Sequence, residues 1–291
     1  MSEILFPRTN VGGLSVSRMI MGTNWLLGWS HTSPSADKMI TDRYPTKESF
    51  LPMFEAYLSH GVDTVMGPLS QNAAIIPAIK YAEDRLGKEI IMIDTPQINV
   101  NDSKEARQEA EKQIKKSAAD GCKICMIHQV MVEKIMNQLD EKFDRIDDYT
   151  KMMRDNGLIP GLGTHSPETI QYCDQNNYDV ETYIQLYNPM GFLMRHEVET
   201  IAATIQNAKK PVLTIKAMAA GRTTPYVGLT FVWNTIRPQD MVAVGAFTPQ
   251  EVHEDIEFSM AALEHRFPTA VLGGGIVGQA NDAKGFNVKV D

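Results

Sequence analysis

The sequence predicts an α/β chain folded as a single (β/α)8 TIM barrel with a C-terminal extension. Strands and helices alternate along nearly the whole chain, giving eight strands with seven clear crossover helices and a terminal eighth. Alternation of this kind implies parallel strands joined by helical crossovers. The strands mostly end in polar or special residues, which in order are Asn24, Met66, Asp94, His128, His165, Asn188, Lys216 and Gly245. The length of 291 residues also suits one barrel, since such barrels run to about 250 residues. A doubly wound open sheet is disfavoured, because no Gly-x-Gly-x-x-Gly follows the first strand. The barrel is expected over about 14–265, with an extension at 266–291, all one domain.

Ser15 to Met21 reads as the first strand, closed by Gly22-Thr23-Asn24. A long loop from Trp25 to about Thr46 follows, and loops of that length in compact domains are usually functional. Thr46 caps a helix over Lys47–Ser59, and Val62–Met66 is the second strand. Gln71–Leu86 has apolar residues at helical spacing. Glu89–Ile93 is the third strand, running into Asp94-Thr95-Pro96-Gln97. Ser103 opens a charged helix through Ala119, and Lys123–Ile127 is the fourth strand. Helical segments near Val130–Leu139 and Phe143–Asn156 precede the fifth, Leu158–Gly163. Ser166-Pro167-Glu168 is a strong helix start, leading to about Asn176. The sixth strand, Tyr183–Tyr187, carries Gln185 and ends at Asn188. A helix over Arg195–Ala208 precedes the seventh strand, Val212–Ile215, which ends in Lys216. A loop with Gly221 and Arg222 leads to a helix through Thr235. Met241–Val244 is the eighth strand, and Thr248-Pro249-Gln250-Glu251 is a capping box opening the last helix.

Composition narrows the function. Hydrophobic residues at 43% and charged residues at 22% are those of a globular enzyme, not a disordered chain. The net charge of −8, with no basic stripe, excludes a nucleic-acid or anionic-membrane surface. Three cysteines form no disulfide framework. Cys122 and Cys125, three apart on a strand, face opposite sides and make neither a redox nor a zinc pair. No signal segment or transmembrane run is visible, so the expected setting is cytoplasmic. A homo-oligomer is compatible with the sequence.

The ordered set of motifs resembles the aldo-keto reductase superfamily. Leu14-Ser-Val-Ser-Arg-Met-Ile-Met-Gly-Thr23 is similar to that family's opening strand, and Leu162-Gly-Thr-His-Ser-Pro-Glu168 with Tyr187-Asn188 to its fifth and sixth strands. Val212-Leu-Thr-Ile-Lys-Ala-Met-Ala-Ala-Gly221 and Val242-Ala-Val-Gly-Ala-Phe-Thr-Pro-Gln-Glu251 resemble its seventh and eighth. The resemblance implies the barrel and an NAD(P)H cofactor served by an Asp, a Tyr, a Lys and a His. Here Met66 falls at the Asp position, Gln71 near the Tyr and Asp94 or Thr95 at the Lys; the His alone remains, as His128. Met and Gln cannot carry those proton transfers. The basic residue expected to hold a cofactor phosphate after the eighth strand is replaced by Ala246-Phe247-Thr248.

Barrel sites lie at the carboxyl ends of the strands, which makes Asp94, His128, His165 and Lys216 the catalytic candidates. One carboxylate and two imidazoles suit a divalent Zn, Mn, Fe or Co, so Asp94, His128 and His165 are also the candidate metal ligands. The blander reading has Asp94 capping a turn and His165 bonded to its own helix. Lys216 has three readings: a Schiff-base nucleophile, a partner for Asp94, or a binder of substrate anions. Asn24, Trp25, Trp29, His31, Gln97, Gln185, Asn188 and Arg222 are the expected substrate-binding residues. The expected activity is non-redox lyase, isomerase or hydrolase chemistry on a small polar, carbohydrate-like or hydroxy-carbonyl substrate, with Asp94, His128 and His165 either holding a divalent metal or acting as acid and base. The alternatives are an NAD(P)H oxidoreductase with a relocated proton donor and a non-catalytic metabolite-binding barrel.

Overall fold

A computed structural model describes residues 5–269. Its centre is a closed barrel of eight parallel strands. They are β3 (Met19–Gly22), β4 (Thr64–Gly67), β5 (Ile91–Asp94), β6 (Ile124–Ile127), β9 (Ile159–Gly163), β10 (Thr182–Leu186), β11 (Val212–Ile215) and β12 (Met241–Val244). The barrel closes where β12 pairs with β3, Val242 opposite Met19. The expected fold class is what the structure shows. Of the expected extension, 266–269 are described and the remainder lies outside the described residues.

The first expected strand divides in two. Arg8–Val11 (β1) and Leu14–Ser17 (β2) form an antiparallel hairpin, and only Met19–Gly22 enters the barrel. Gly12 and Gly13 make its two-residue turn, with φ of 57° and 90°, the left-handed pair that a tight hairpin of this hand requires. Val11 and Val16 of the hairpin pack with Ile20, Ile91, Ile93, Ile124, Met126, Leu213 and Met241, filling the barrel from its amino-terminal end. Side chains alternate across a strand, so these residues also fix which positions point toward the barrel axis.

Around the barrel lie α3 (Leu51–Ser59), α4 (Ile75–Leu86), α5 (Lys104–Ala119), α7 (Ile146–Asp155), α8 (Glu168–Asn176), α9 (Val198–Asn207), α10 (Pro225–Thr235) and α11 (Pro249–Leu263). Their apolar faces form the larger core with the outward faces of the strands. Ser103 and Thr248 cap α5 and α11 as expected, accepting from the N–H groups of Ala106 and Glu251. The expected loop from Trp25 to Thr46 is largely helical instead. It holds α1 (Asn24–Leu27) and α2 (Pro34–Arg43), the latter capped by Ser33 with Pro34 in first position. Between β6 and α7, the expected helix near Val130–Leu139 shortens to α6 (Gln129–Lys134). A small hairpin of β7 (Met136–Asn137) and β8 (Lys142–Phe143) follows it.

No helix among the described residues is long and apolar enough to cross a membrane.

Candidate active site

The carboxyl ends of the barrel strands open into a cavity of about 830 Å3. Its floor is made by inward residues of the strands, among them Met66, Ile184, Ile215 and Ala243. Its wall on one side is α1 and the turn after it, which supply Asn24, Trp25, Trp29 and His31. Trp25 is pinned edge-on against Phe247, with ring centroids 6.0 Å apart, whereas Trp29 is 42% exposed at the rim. Gln97, His128, His165 and Lys216 complete the expected residues that line the cavity.

His128 continues the inward series Ile124, Met126, and His165 the series through Gly161 and Gly163. The His128 Nδ1 accepts the N–H of Val130 at 3.4 Å, so in the neutral ring the proton sits on Nε2. His165 is set by its neighbours. Thr164 Oγ1 accepts from the N–H of Ser166 at 2.8 Å and donates to the Ser166 carbonyl at 2.9 Å, locking the turn. Gly163 lets this turn lie close, since a Cβ there would sit 2.9 Å from the Ile127 carbonyl oxygen. Burial and the nearby Lys216 ammonium push the His165 pKa down to about 4. Burial also lowers that of His128, and burial with Lys216 lowers that of His31. The His31 Nδ1 lies 3.0 Å from the Trp29 carbonyl, which fixes the proton there and leaves Nε2 as an acceptor. At neutral pH the mouth therefore holds three uncharged imidazoles, with His128 presenting a donor and His31 an acceptor.

Lys216 stands just past β11 with a left-handed backbone, φ 61°. Burial lowers its pKa, and the charge of Arg222 adds to this. The residues after it, Ala219, Ala220 and Gly221, are also left-handed, at φ of 50°, 53° and 80°. Strain of this kind collects at functional sites.

Four expectations are corrected. Asp94 is not at the mouth. Ile91 and Ile93 point inward, so alternation turns Asp94 outward, where it is fully buried between β5 and α5. There its carboxylate accepts hydrogen bonds from Ser70 Oγ, from Ser117 Oγ at 2.5 Å and from the Ser70 N–H at 3.2 Å. The Asp94–His128–His165 ligand set is thus not assembled, and among the described residues no group of three or more His, Cys, Asp or Glu is placed to hold a metal. The donors do not fit the expected divalent ion. Gln185, adjacent to inward Ile184, is likewise buried outside the barrel, its Nε2 donating to the Leu186 carbonyl at 3.2 Å. Asn188 is fully buried and spends its side chain on the loop after β10, accepting from Met190 N and Phe192 N and donating to the Phe192 carbonyl. Arg222 stacks on Phe192, with Cζ 3.9 Å from the ring centroid, and donates to the Ala219 carbonyl at 3.2 Å, outside the cavity lining.

Sequence reasoning missed Thr95, the inward residue beside Asp94, and Asp37 of α2, the sole carboxylate among the described lining residues. Asp37 is held below the usual carboxylate range by accepting from the Ser30 hydroxyl at 2.6 Å and the Ser30 N–H at 2.7 Å. Alternation from Ile91 and Ile93 was enough to find Thr95; Asp37 reaches the mouth only because α2 folds over it.

The reductase positions are filled as the sequence indicated. Met66 lines the floor. Gln71 is occupied by the backbone of Gln97, donating to its carbonyl and accepting its N–H, both at 2.9 Å. Neither residue supplies the proton donor that nicotinamide-dependent carbonyl reduction needs.

No family profile matches the sequence, and no curated protein matches it. Solved structures do share its fold. PA4992 from Pseudomonas aeruginosa, assigned to the aldo-keto reductases, is 16% identical with a TM-score of 0.63, covering 90% of this chain and 99% of that one. The thermostable aldo-keto reductase Tm1743 is 10% identical with a TM-score of 0.61, over 89% of this chain and 98% of its own. Aldose reductase from Giardia lamblia is 14% identical with a TM-score of 0.52, over 87% and 89%. At these identities the likeness is one of fold alone, the closed eight-stranded parallel barrel ringed by helices.

Proposed function

We propose that this barrel is a non-redox enzyme that moves protons on a small hydroxy-carbonyl or carbohydrate-like substrate. The observation that supports it best is the grouping of His128 and His165, both inward and both held uncharged, with Lys216 in one cavity of about 830 Å3. An uncharged imidazole at neutral pH can take a proton from carbon or oxygen, and one with Nε2–H can deliver it to a carbonyl oxygen. In this reading His165 is the base, His128 the acid, and Lys216 faces the carbonyl end, where negative charge develops. Asn24, Gln97 and Thr95 orient hydroxyl groups, and Trp29 offers an apolar face to the carbon skeleton. Lyase and isomerase reactions share this first proton transfer.

Exchange in deuterated water tests it. Trioses, tetroses and pentoses incubated with the protein are followed by proton NMR for loss of the signal next to the carbonyl. The expected result is exchange or conversion of at least one of them, lost on His165→Gln and reduced on His128→Gln. Exchange that persists in both variants overturns the assignment. The oxidoreductase reading, to which the fold likeness gives some weight, is separated by titrating NADPH and following quenching of its fluorescence. Saturable quenching with carbonyl-dependent oxidation would replace the present proposal.

A further inference from the structure

Acid–base chemistry gives Lys216 only an electrostatic task, and its setting suits a further one. Asp94, the carboxylate the sequence offered as its partner, is outside the barrel and fully bonded to Ser70 and Ser117. Arg222, the neighbouring cation, is turned onto Phe192. Among the described residues, burial first and that like charge second lower the pKa of the amine. Lys216 is the one Lys or Arg among the described lining residues, and its chain neighbours Ile215, Ala217 and Met218 line the same cavity. An anion site would gather several cationic donors on one ligand; here a single amine shares the cavity with uncharged His165 and His31, both close enough to feel its charge. Lys216 is held there by a left-handed backbone, φ 61°, that L side chains rarely adopt. Burial and a like charge both favour the unprotonated amine, which is the nucleophilic form.

We infer that Lys216 is a nucleophilic amine that captures the carbonyl carbon of the substrate as an imine. Its neutral Nζ adds to the carbonyl carbon, and the carbonyl π pair moves to oxygen. A proton passes from nitrogen to that oxygen, giving a carbinolamine. A second proton, drawn from solvent while the His128 Nε2–H hydrogen-bonds to the departing oxygen, lets that oxygen leave as water as the nitrogen lone pair closes the C=N bond. The product is a protonated imine, formed without oxidant or reductant. It draws electrons from the adjacent carbon, so the proton removed by the neutral His165 becomes more acidic. For the class of carbonyl compound, this inference rests on the preceding reading; for the reactivity of the amine it does not.

Reductive trapping on the full chain separates the two. Formaldehyde with cyanoborohydride converts a transient imine to a methylated amine, and peptide mass mapping over time gives the rate at each lysine near neutral pH. Lys216 is expected to be labelled first, several-fold ahead of exposed Lys80 and Lys112. Labelling no faster than theirs overturns the inference, whatever the turnover. Dihydroxyacetone and glycolaldehyde with borohydride form the second arm. One adduct per chain, mapped to Lys216 and absent in Lys216→Arg, supports both amine and substrate class. Fast formaldehyde labelling without either adduct keeps the amine and removes the hydroxy-carbonyl class. Lys216→Arg also distinguishes charge from nucleophile: an anion site would retain binding with Arg, whereas imine chemistry is lost.

Discussion

Burial beside Lys216 brings the His165 pKa down from 6.5 to about 4, and that shift has a defined effect on stability. As pH falls below about 6.5, the unfolded chain takes up a proton that the folded ring refuses, so stability is lost progressively until about pH 4. Below that, this group contributes no further loss. The melting temperature of His165→Gln should therefore fall less steeply than that of the wild type between those limits, as thermal unfolding in a pH series will show. Replacing Lys216 with Met removes one of the charges that depress His165, and the imidazole titration followed by NMR should move upward. Asp94 makes the complementary case. Asp94→Ala strands the hydroxyls of Ser70 and Ser117 in a buried site, which costs about 1–3 kcal/mol. It should lower the denaturation midpoint by that amount while leaving Lys216 labelling unchanged; lost labelling at wild-type stability would return Asp94 to the site. The sequence told which strand ends matter but not which residue of each faces inward. His128 and His165 were legible because they fall in phase with the apolar residues before them. Asp94 was misplaced because it is out of phase with the inward Ile91 and Ile93, so the inward position is Thr95.

Among the elements, the β11–α10 connection is the least relaxed part of the site. Ala219 and Ala220 hold φ values of 50° and 53°, where a Cβ meets the following carbonyl. Ala220→Gly removes that conflict, offset in part by the greater freedom of glycine in the unfolded chain. The expected outcome is a gain of up to about 1 kcal/mol in denaturant unfolding. Lys216 itself cannot be relieved without losing its amine, so its strain persists with its role. Helix starts carrying Ser or Thr before Pro or an acidic residue were readable, as at Ser103 and Thr248. Thr248→Ala should cost about 1 kcal/mol through the lost bond to the Glu251 N–H. The same signal stood at Ser33-Pro34, inside a stretch expected to be loop. Helix α2 was obscured because Ile40 is its one buried residue, which leaves almost no apolar stripe to read. Its placement over the mouth depends on contacts distant in sequence, such as the Tyr44 hydroxyl donating to the Phe247 carbonyl at 2.6 Å.

For the molecule as a whole, the barrel was legible because each strand–helix pair repeats one local pattern, whereas closure of its lower end was not. The first strand expected over Ser15–Met21 takes in most of β2 and leaves β1 unassigned, although Gly12-Gly13 between alternating residues is a two-residue turn signal for the β1–β2 hairpin. Its consequence is global. Val11 and Val16 are fully buried against residues from β3, β5, β6, β11 and β12, so one short hairpin contacts strands from across the barrel. The Arg8 guanidinium binds Asp63 at 2.6 Å and Thr9 donates to the Gln239 carbonyl at 2.9 Å, tying the hairpin to segments ahead of β4 and β12. Truncating a buried aliphatic side chain removes its transfer energy and leaves a cavity, at a cost approaching the 2–5 kcal/mol range seen for larger residues. Val16→Ala should therefore lower global stability by about 2 kcal/mol. Because the floor of the cavity is formed by a separate layer, with Met66, Ile215 and Ala243 between the hairpin and His165, that loss should leave Lys216 labelling and any substrate KM unaltered. Reductive methylation and denaturant unfolding on the same variant check both halves. A change at Lys216 that tracks the stability loss would mean that the two ends of the barrel are mechanically coupled, and that the mouth is held in shape from below.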